Sequence, residues 1–215
     1  MSEVAPVPPT INCFSCAKVK PSRNSRLATA GQNCLQITTR DVLAIDARKH
    51  GDRITSTDYE DPGVYLQSGY LDAAGKFAAE TAIDVRSAID ALDQIEGIDA
   101  NKIGVAGFSL GAIVGYLATA VDPRVDAGLF IGMPLLPITE GEAASFTSPF
   151  AYAEGFGERK VALVAGTEDQ MYSREGVDAL VAQMPPGTQT YWIESGHDFP
   201  DDTAGISVAF FKDAF

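Results

Sequence analysis

From residue 102 onward, four short apolar runs alternate with stretches of helical periodicity. The runs are KIGVAG (102–107), VDAGLFIG (125–132), KVALVAG (160–166) and TQTYWIE (188–194), and DVLAID (41–46) precedes them. In KFAAETAIDVRSAIDALDQIEG, Val85, Ile89, Leu92 and Ile95 recur at helical spacing, with acids and Arg86 on the other face and Gly97 placed as a C-cap. LGAIVGYLATA (110–120) is apolar almost all round, which predicts a central helix. REGVDALVAQM puts Val177, Leu180, Val181 and Met184 on one face, and the last dozen residues read as a closing helix. Apolar strands linked by helical crossovers pair in parallel and bury both faces. The expected fold class is therefore α/β, a mostly parallel sheet with helices on both faces. Residues 133–157, with Pro134, Pro137 and Pro149, break the alternation and read as an irregular excursion placed to cover a site.

In such a sheet, ligands bind beyond the carboxyl ends of the strands, and three of those ends carry reactive side chains. After KIGVAG comes G-F-S-L-G, Gly107 to Gly111, in which Ser109 falls on a strand-to-helix turn tight enough to need glycine two places either side. After KVALVAG comes G-T-E-D with Asp169, and after TQTYWIE comes S-G-H with His197. A serine hydroxyl needs an imidazole to take its proton, and the imidazole needs an acid to fix its tautomer. Taken singly, each signal has a plainer reading: a helix start, a loop acid, a polar histidine. Taken together, order and placement agree on nucleophile, acid and base in Ser109, Asp169 and His197. His50, the only other histidine, precedes the serine and is assigned to shaping the loop after DVLAID. Glu168 and Asp198 are rival acids that fit the spacing less well.

Charge and cysteine usage exclude other classes. With 29 acidic against 16 basic side chains the net charge is −13, which repels nucleic acid and anionic membrane surfaces. No apolar stretch has membrane-spanning length, and MSEVAPVPPTINCFS has no basic start or apolar h-region; a cytoplasmic protein is expected. Cys13 and Cys16 have C-x-x-C spacing, but zinc would have to draw on Cys34 and the two histidines, and no strand-to-helix context supports redox chemistry. Reduced structural thiols are the better reading.

These motifs resemble the α/β-hydrolase superfamily and, within it, the small esterases related to dienelactone hydrolase. The likeness runs from about Leu27 to the C-terminus: LATAG, DVLAIDARKHGDR, IDANKIGVAGFSLGA, GTEDQMY and ESGHDFP. Dienelactone hydrolase itself has cysteine at the elbow, so Ser109 points toward ordinary carboxylic esters. The resemblance implies a small-molecule ester substrate, no metal or organic cofactor, and a monomer or homodimer. It implies a core over 41–215 with a lid at 133–157, and an atypical N-terminal segment, 1–40, of the same domain. The family has a further central strand ending in an H-G motif, and no His-Gly pair occurs before residue 50. TINCFSC (10–16) is expected to fill that strand, with the backbone near Ala17 and Lys18 joining the Leu110 N–H as oxyanion donors. Phe108, Met133, Leu135 and Phe146 either line an acyl pocket or pack the core. Thioester or amide cleavage by the same mechanism, and a catalytically impaired binding protein, are the alternatives.

Overall fold

The structure is a computed structural model of the 215-residue chain. It describes residues 9–15, 42–50, 53, 71–92, 94–95, 99–135, 148–200 and 203–215. Strands β1 (Pro9–Ser15), β2 (Val42–Leu43), β3 (Asp99–Phe108), β4 (Val125–Ile131), β5 (Lys160–Gly166) and β6 (Gln189–Ile193) form one sheet in the order β2-β1-β3-β4-β5-β6. Every pairing is parallel. Helix α1 (Leu71–Leu92) precedes β3, α2 (Leu110–Val121) joins β3 to β4, and α3 (Pro149–Tyr152) lies before β5. Helix α4 (Arg174–Val181) links β5 to β6, and α5 (Thr203–Ala214) closes the chain.

The period-2 alternation of the strands divides the core. Val105, Phe130, Val161 and Leu163 face α1, α2 and α4, whereas Leu129, Ile131, Ala162 and Val164 face Phe210 and Phe211 of α5. Helices thus cover both faces. β1 lies between β2 and β3, with Thr10 to Ser15 in register with Ile103 to Phe108, so TINCFS occupies an interior strand position although it comes first in the chain. Cys16 lies outside the described residues, as do Cys34 and Gly97.

Three sequence expectations need correction. DVLAID forms only the two-residue β2 at the edge of the described sheet, with Leu43 half-buried and Ala44 exposed. An apolar run does not reveal whether it will have one neighbour or two. α1 begins at Leu71 and stops at Leu92; Gln94 and Ile95 donate to Ala91 and Leu92 three residues back, and this tighter turn carries Ile95 out to 46% exposure. Within the 133–157 excursion, Pro149 to Phe156 is core rather than cover. The Tyr116 hydroxyl donates to the Pro149 carbonyl at 2.9 Å, and the fully buried Phe156 ring packs edge-on against Tyr116 with centroids 4.7 Å apart. Residues 136–147 lie outside the described residues.

Charged side chains tie the far end of the sheet. The Arg159 guanidinium donates to the carbonyls of Thr119, Asp122, Val125 and Gly155, gathering the end of α2, the turn into β4 and the segment before β5. Asp122, with its side chain 1% exposed, accepts from Arg124 at 2.6 and 2.9 Å and from Arg86 at 3.2 Å. The Arg124 hydrogen bonds outweigh burial and hold this carboxyl at about 2, below its ordinary 3.8. A depressed folded-state value means stability that is complete above the unfolded value and is lost as pH falls toward 2. Urea titrations of the wild type are expected to lose roughly 2 kcal/mol between pH 5 and pH 2 from this group. Asp122→Asn, less stable at pH 5, should lose correspondingly less over that interval.

Among the described residues, no helix is long and apolar enough to cross a membrane.

Candidate active site

At the carboxyl end of β3 the chain must turn at once into α2, and Ser109 makes that turn at φ 53°, ψ −117°, where side chains are rarely found. The turn is secured from both sides. Ser109 N–H donates to the Ile131 carbonyl at the end of β4 at 2.9 Å, and the Ser109 carbonyl accepts from Ala112 and Ile113. A Cβ on Gly107 would sit 2.1 Å from the Gly111 carbonyl oxygen, so only glycine allows the helix to start this close to the strand. Because the obstacle is backbone, Gly107→Ala is expected to destabilise the fold by more than about 3 kcal/mol, read as a lowered urea midpoint.

His197 and Asp169 reach this turn from the next two loops on the same edge. His197 Nε2 lies 2.8 Å from Ser109 Oγ, and His197 Nδ1 lies 2.8 Å from Asp169 Oδ2. The Asp169 side chain is fully buried, and its other oxygen, Oδ1, accepts the Met171 N–H at 2.9 Å. An ionised carboxylate only accepts, so Nδ1 carries the imidazole proton and donates it to Asp169. Nε2 is then the lone-pair nitrogen and accepts from the Ser109 hydroxyl. Backbone bonds hold the two loops together: Thr167 N–H donates to Ile193 O and Glu168 N–H to Ser195 O. Gly166 is the contact point, since a Cβ there would lie 2.4 Å from the Ser195 carbonyl.

The other candidates fall elsewhere. His50 sits in the loop after β2, its Nδ1 2.9 Å from the Arg48 carbonyl and its ring 5.4 Å from Phe77, apart from the Ser109–His197–Asp169 chain. Glu168 and Asp198 are exposed. Phe108 is half-buried, with its ring 5.2 Å from His197 and 5.7 Å from Phe199. Leu110 occupies the first position of α2, where a backbone N–H has no acceptor within the helix. Leu135 is half-buried and donates its N–H to the Met171 carbonyl at 3.1 Å. Met133 is buried in the core beside Val177 and Leu180, so of its two readings packing describes where it lies. Phe146, Ala17 and Lys18 lie outside the described residues. Sequence reasoning passed over Phe199 and Tyr172, which adjoin the site; both stand inside the quoted ESGHDFP and GTEDQMY motifs, and only their packing distinguishes them. Among the described residues, no group of three or more His, Cys, Asp or Glu side chains converges to hold a metal ion.

No protein-family model and no curated protein matches the sequence. Solved structures match across nearly the whole chain. TT1662 from Thermus thermophilus is 19% identical with a TM-score of 0.69, over 95% of this chain and 89% of that one. The Pyrococcus furiosus esterase Pf2001 is 16% identical with a TM-score of 0.65, over 96% and 83%. Acetyl xylan esterase 1 from a Thermoanaerobacterium species is 14% identical with a TM-score of 0.71, over 99% and 77%. The shared architecture is the α/β-hydrolase fold.

Proposed function

We propose that this α/β-hydrolase chain is a serine hydrolase of small carboxylic esters, with Ser109 as nucleophile, His197 as base and Asp169 as orienting acid. The observation that carries the reading is the hydrogen-bonded chain from Ser109 through His197 to the buried Asp169. In this reading Ser109 Oγ attacks the ester carbonyl carbon while His197 Nε2 takes the hydroxyl proton. The resulting imidazolium is stabilised by Asp169 and returns the proton to the departing alkoxide. A water deprotonated by the same nitrogen then cleaves the acyl-enzyme. The Leu110 N–H supports the developing oxyanion from the helix N-terminus. A second donor is proposed near Ala17 and Lys18; what supports it is that Ser15, the last residue of β1, pairs with Phe108, the residue before Ser109. Phe108 and Leu135 are proposed to border the acyl group. The segment 1–40 is taken as part of the same domain as 41–215, with a cover drawn from the first half of 133–157.

The test is covalent. A fluorophosphonate probe is expected to label Ser109, located by peptide mapping, together with turnover of p-nitrophenyl acetate. Absence of an adduct at Ser109 would overturn the hydrolase reading and favour a binding role for the fold. Rates on matched ester, thioester and amide substrates then decide the acyl class, with the ester expected to be fastest.

A further inference from the structure

Phe199 stands two residues after His197, and the proposed reaction gives it no role. Before His197 the loop is held by backbone bonds, Thr167 N–H to Ile193 O and Glu168 N–H to Ser195 O. After His197 it is seated by a ring. Phe199 lies over Gly132, where the chain leaves β4 at φ 54° and a Cβ would come 2.7 Å from Phe199 Cε2. From that seat it meets Phe108 edge-on, with centroids 5.7 Å apart and planes at 77°. Phe108 in turn lies against the His197 imidazole, with centroids 5.2 Å apart and planes at 34°. Phe108 is the last residue of β3 and pairs with Ile131, so it is fixed in the sheet. His197 and Phe199 belong to one loop, and both rest on this ring.

We propose that Phe199 is a positioning residue: it braces Phe108 against His197 and so keeps Nε2 at Ser109 after the hydrogen bond between them has gone. In the resting site two bonds fix the imidazole, one from Nδ1 to Asp169 and one from the Ser109 hydroxyl to Nε2. Acylation turns that hydroxyl into an ester oxygen, which has no proton to donate. His197 then keeps one of the two bonds, about which the ring can tilt. Deacylation still needs Nε2 in place. It takes a proton from water as the water oxygen attacks the acyl carbon, and gives that proton to Ser109 Oγ as the acid departs. The Phe108 ring limits the tilt, and Phe199 stops Phe108 from yielding. Contacts between aromatic rings have a preferred geometry that an aliphatic side chain cannot reproduce. Phe199 acts through Phe108 and does not touch the reacting atoms. The inference rests on the assignment of Ser109, His197 and Asp169 to the reaction.

Phe199→Leu keeps an apolar side chain and removes the ring. Two rates then separate the two steps in the intact chain. Labelling of Ser109 by fluorophosphonate uses the resting site and is expected to change less than about twofold. Carbamoylation of Ser109 by p-nitrophenyl dimethylcarbamate reports the second step, through the return of activity once excess reagent is removed. That reactivation is expected to slow about three- to tenfold in the variant, the rate equivalent of one aromatic pair. Reactivation at the wild-type rate, even with a lowered unfolding midpoint, would mean that Phe199 only packs the loop and would overturn the proposal. Equal slowing of both steps would overturn it too, since Phe199 would then be shaping the resting site. If Phe199→Leu does not fold, Phe199→Met fills the same gap with an unbranched chain, and the same split between the two rates is expected. A wild type that takes neither reagent at Ser109 would overturn the hydrolase reading and this inference with it. A reactive wild type with an unchanged variant would count against Phe199 alone.

Discussion

Ser109→Ala is expected to lower kcat for p-nitrophenyl acetate by on the order of 10⁵–10⁶-fold while leaving the unfolding midpoint nearly unchanged. The two halves of this expectation come from one feature of the turn. Serine is a common helix N-cap because its oxygen accepts an N–H of the first turn. Ser173 does this at the start of α4, accepting from Gly176 at 3.0 Å. Ser109 holds the equivalent place before α2 and makes no such bond; its hydroxyl points to His197 instead. Removing the hydroxyl therefore takes away no cap. The awkward φ of 53° is a backbone property, and alanine bears it as serine does. Oxyanion donors and binding would leave a residual rate above that of water. Paired measurements of steady-state turnover and urea unfolding check both parts; a variant that kept more than about a hundredth of the activity would remove Ser109 from the mechanism.

The strand ends were legible because each rests on a local pattern. An apolar run followed by Gly-x-Ser-x-Gly, or by an acid or histidine loop, states its own position along a parallel sheet, and β3 to β6 follow those runs closely. What escaped was pairwise. Pro149 and Phe156 have the composition of a loop, and only the neighbouring Tyr116 makes a core of them. The apolar period of α1 continues through Ile95 although the backbone turns away after Leu92, because periodicity records which side chains would be buried if the helix went on. β2 was overextended for a related reason: a valine and a leucine look alike at an edge and at a centre. The place of β1 was the reverse case. Its own residues pattern weakly, and the position next to β3 was inferred from a gap in the expected strand order. Phe199 could be seen in the sequence without being understood, since its interest lies in a contact with the Phe108 ring.

Asp169→Asn is expected to lower kcat by about 10⁴-fold, although the two side chains have nearly the same shape. The reason lies in how the loop would orient an amide. The Met171 N–H already donates to Oδ1. An asparagine would keep its oxygen on that donor and turn its NH₂ toward His197 Nδ1. Two donors cannot share a hydrogen bond, so the imidazole would move its proton from Nδ1 to Nε2. Nε2 would then offer a proton to Ser109 Oγ across the same 2.8 Å, where the reaction needs a lone pair. The geometry would be preserved and the base lost. Asp169→Ala makes a useful comparison, because it removes the acid without imposing the wrong tautomer and allows water to take the acceptor's place. Fluorophosphonate labelling of Ser109 should accordingly be slower in the asparagine variant than in the alanine variant, with both below wild type. Equal labelling in wild type and Asp169→Asn would show that the acid does not govern the histidine, and that the proton on His197 is set by something other than this carboxylate.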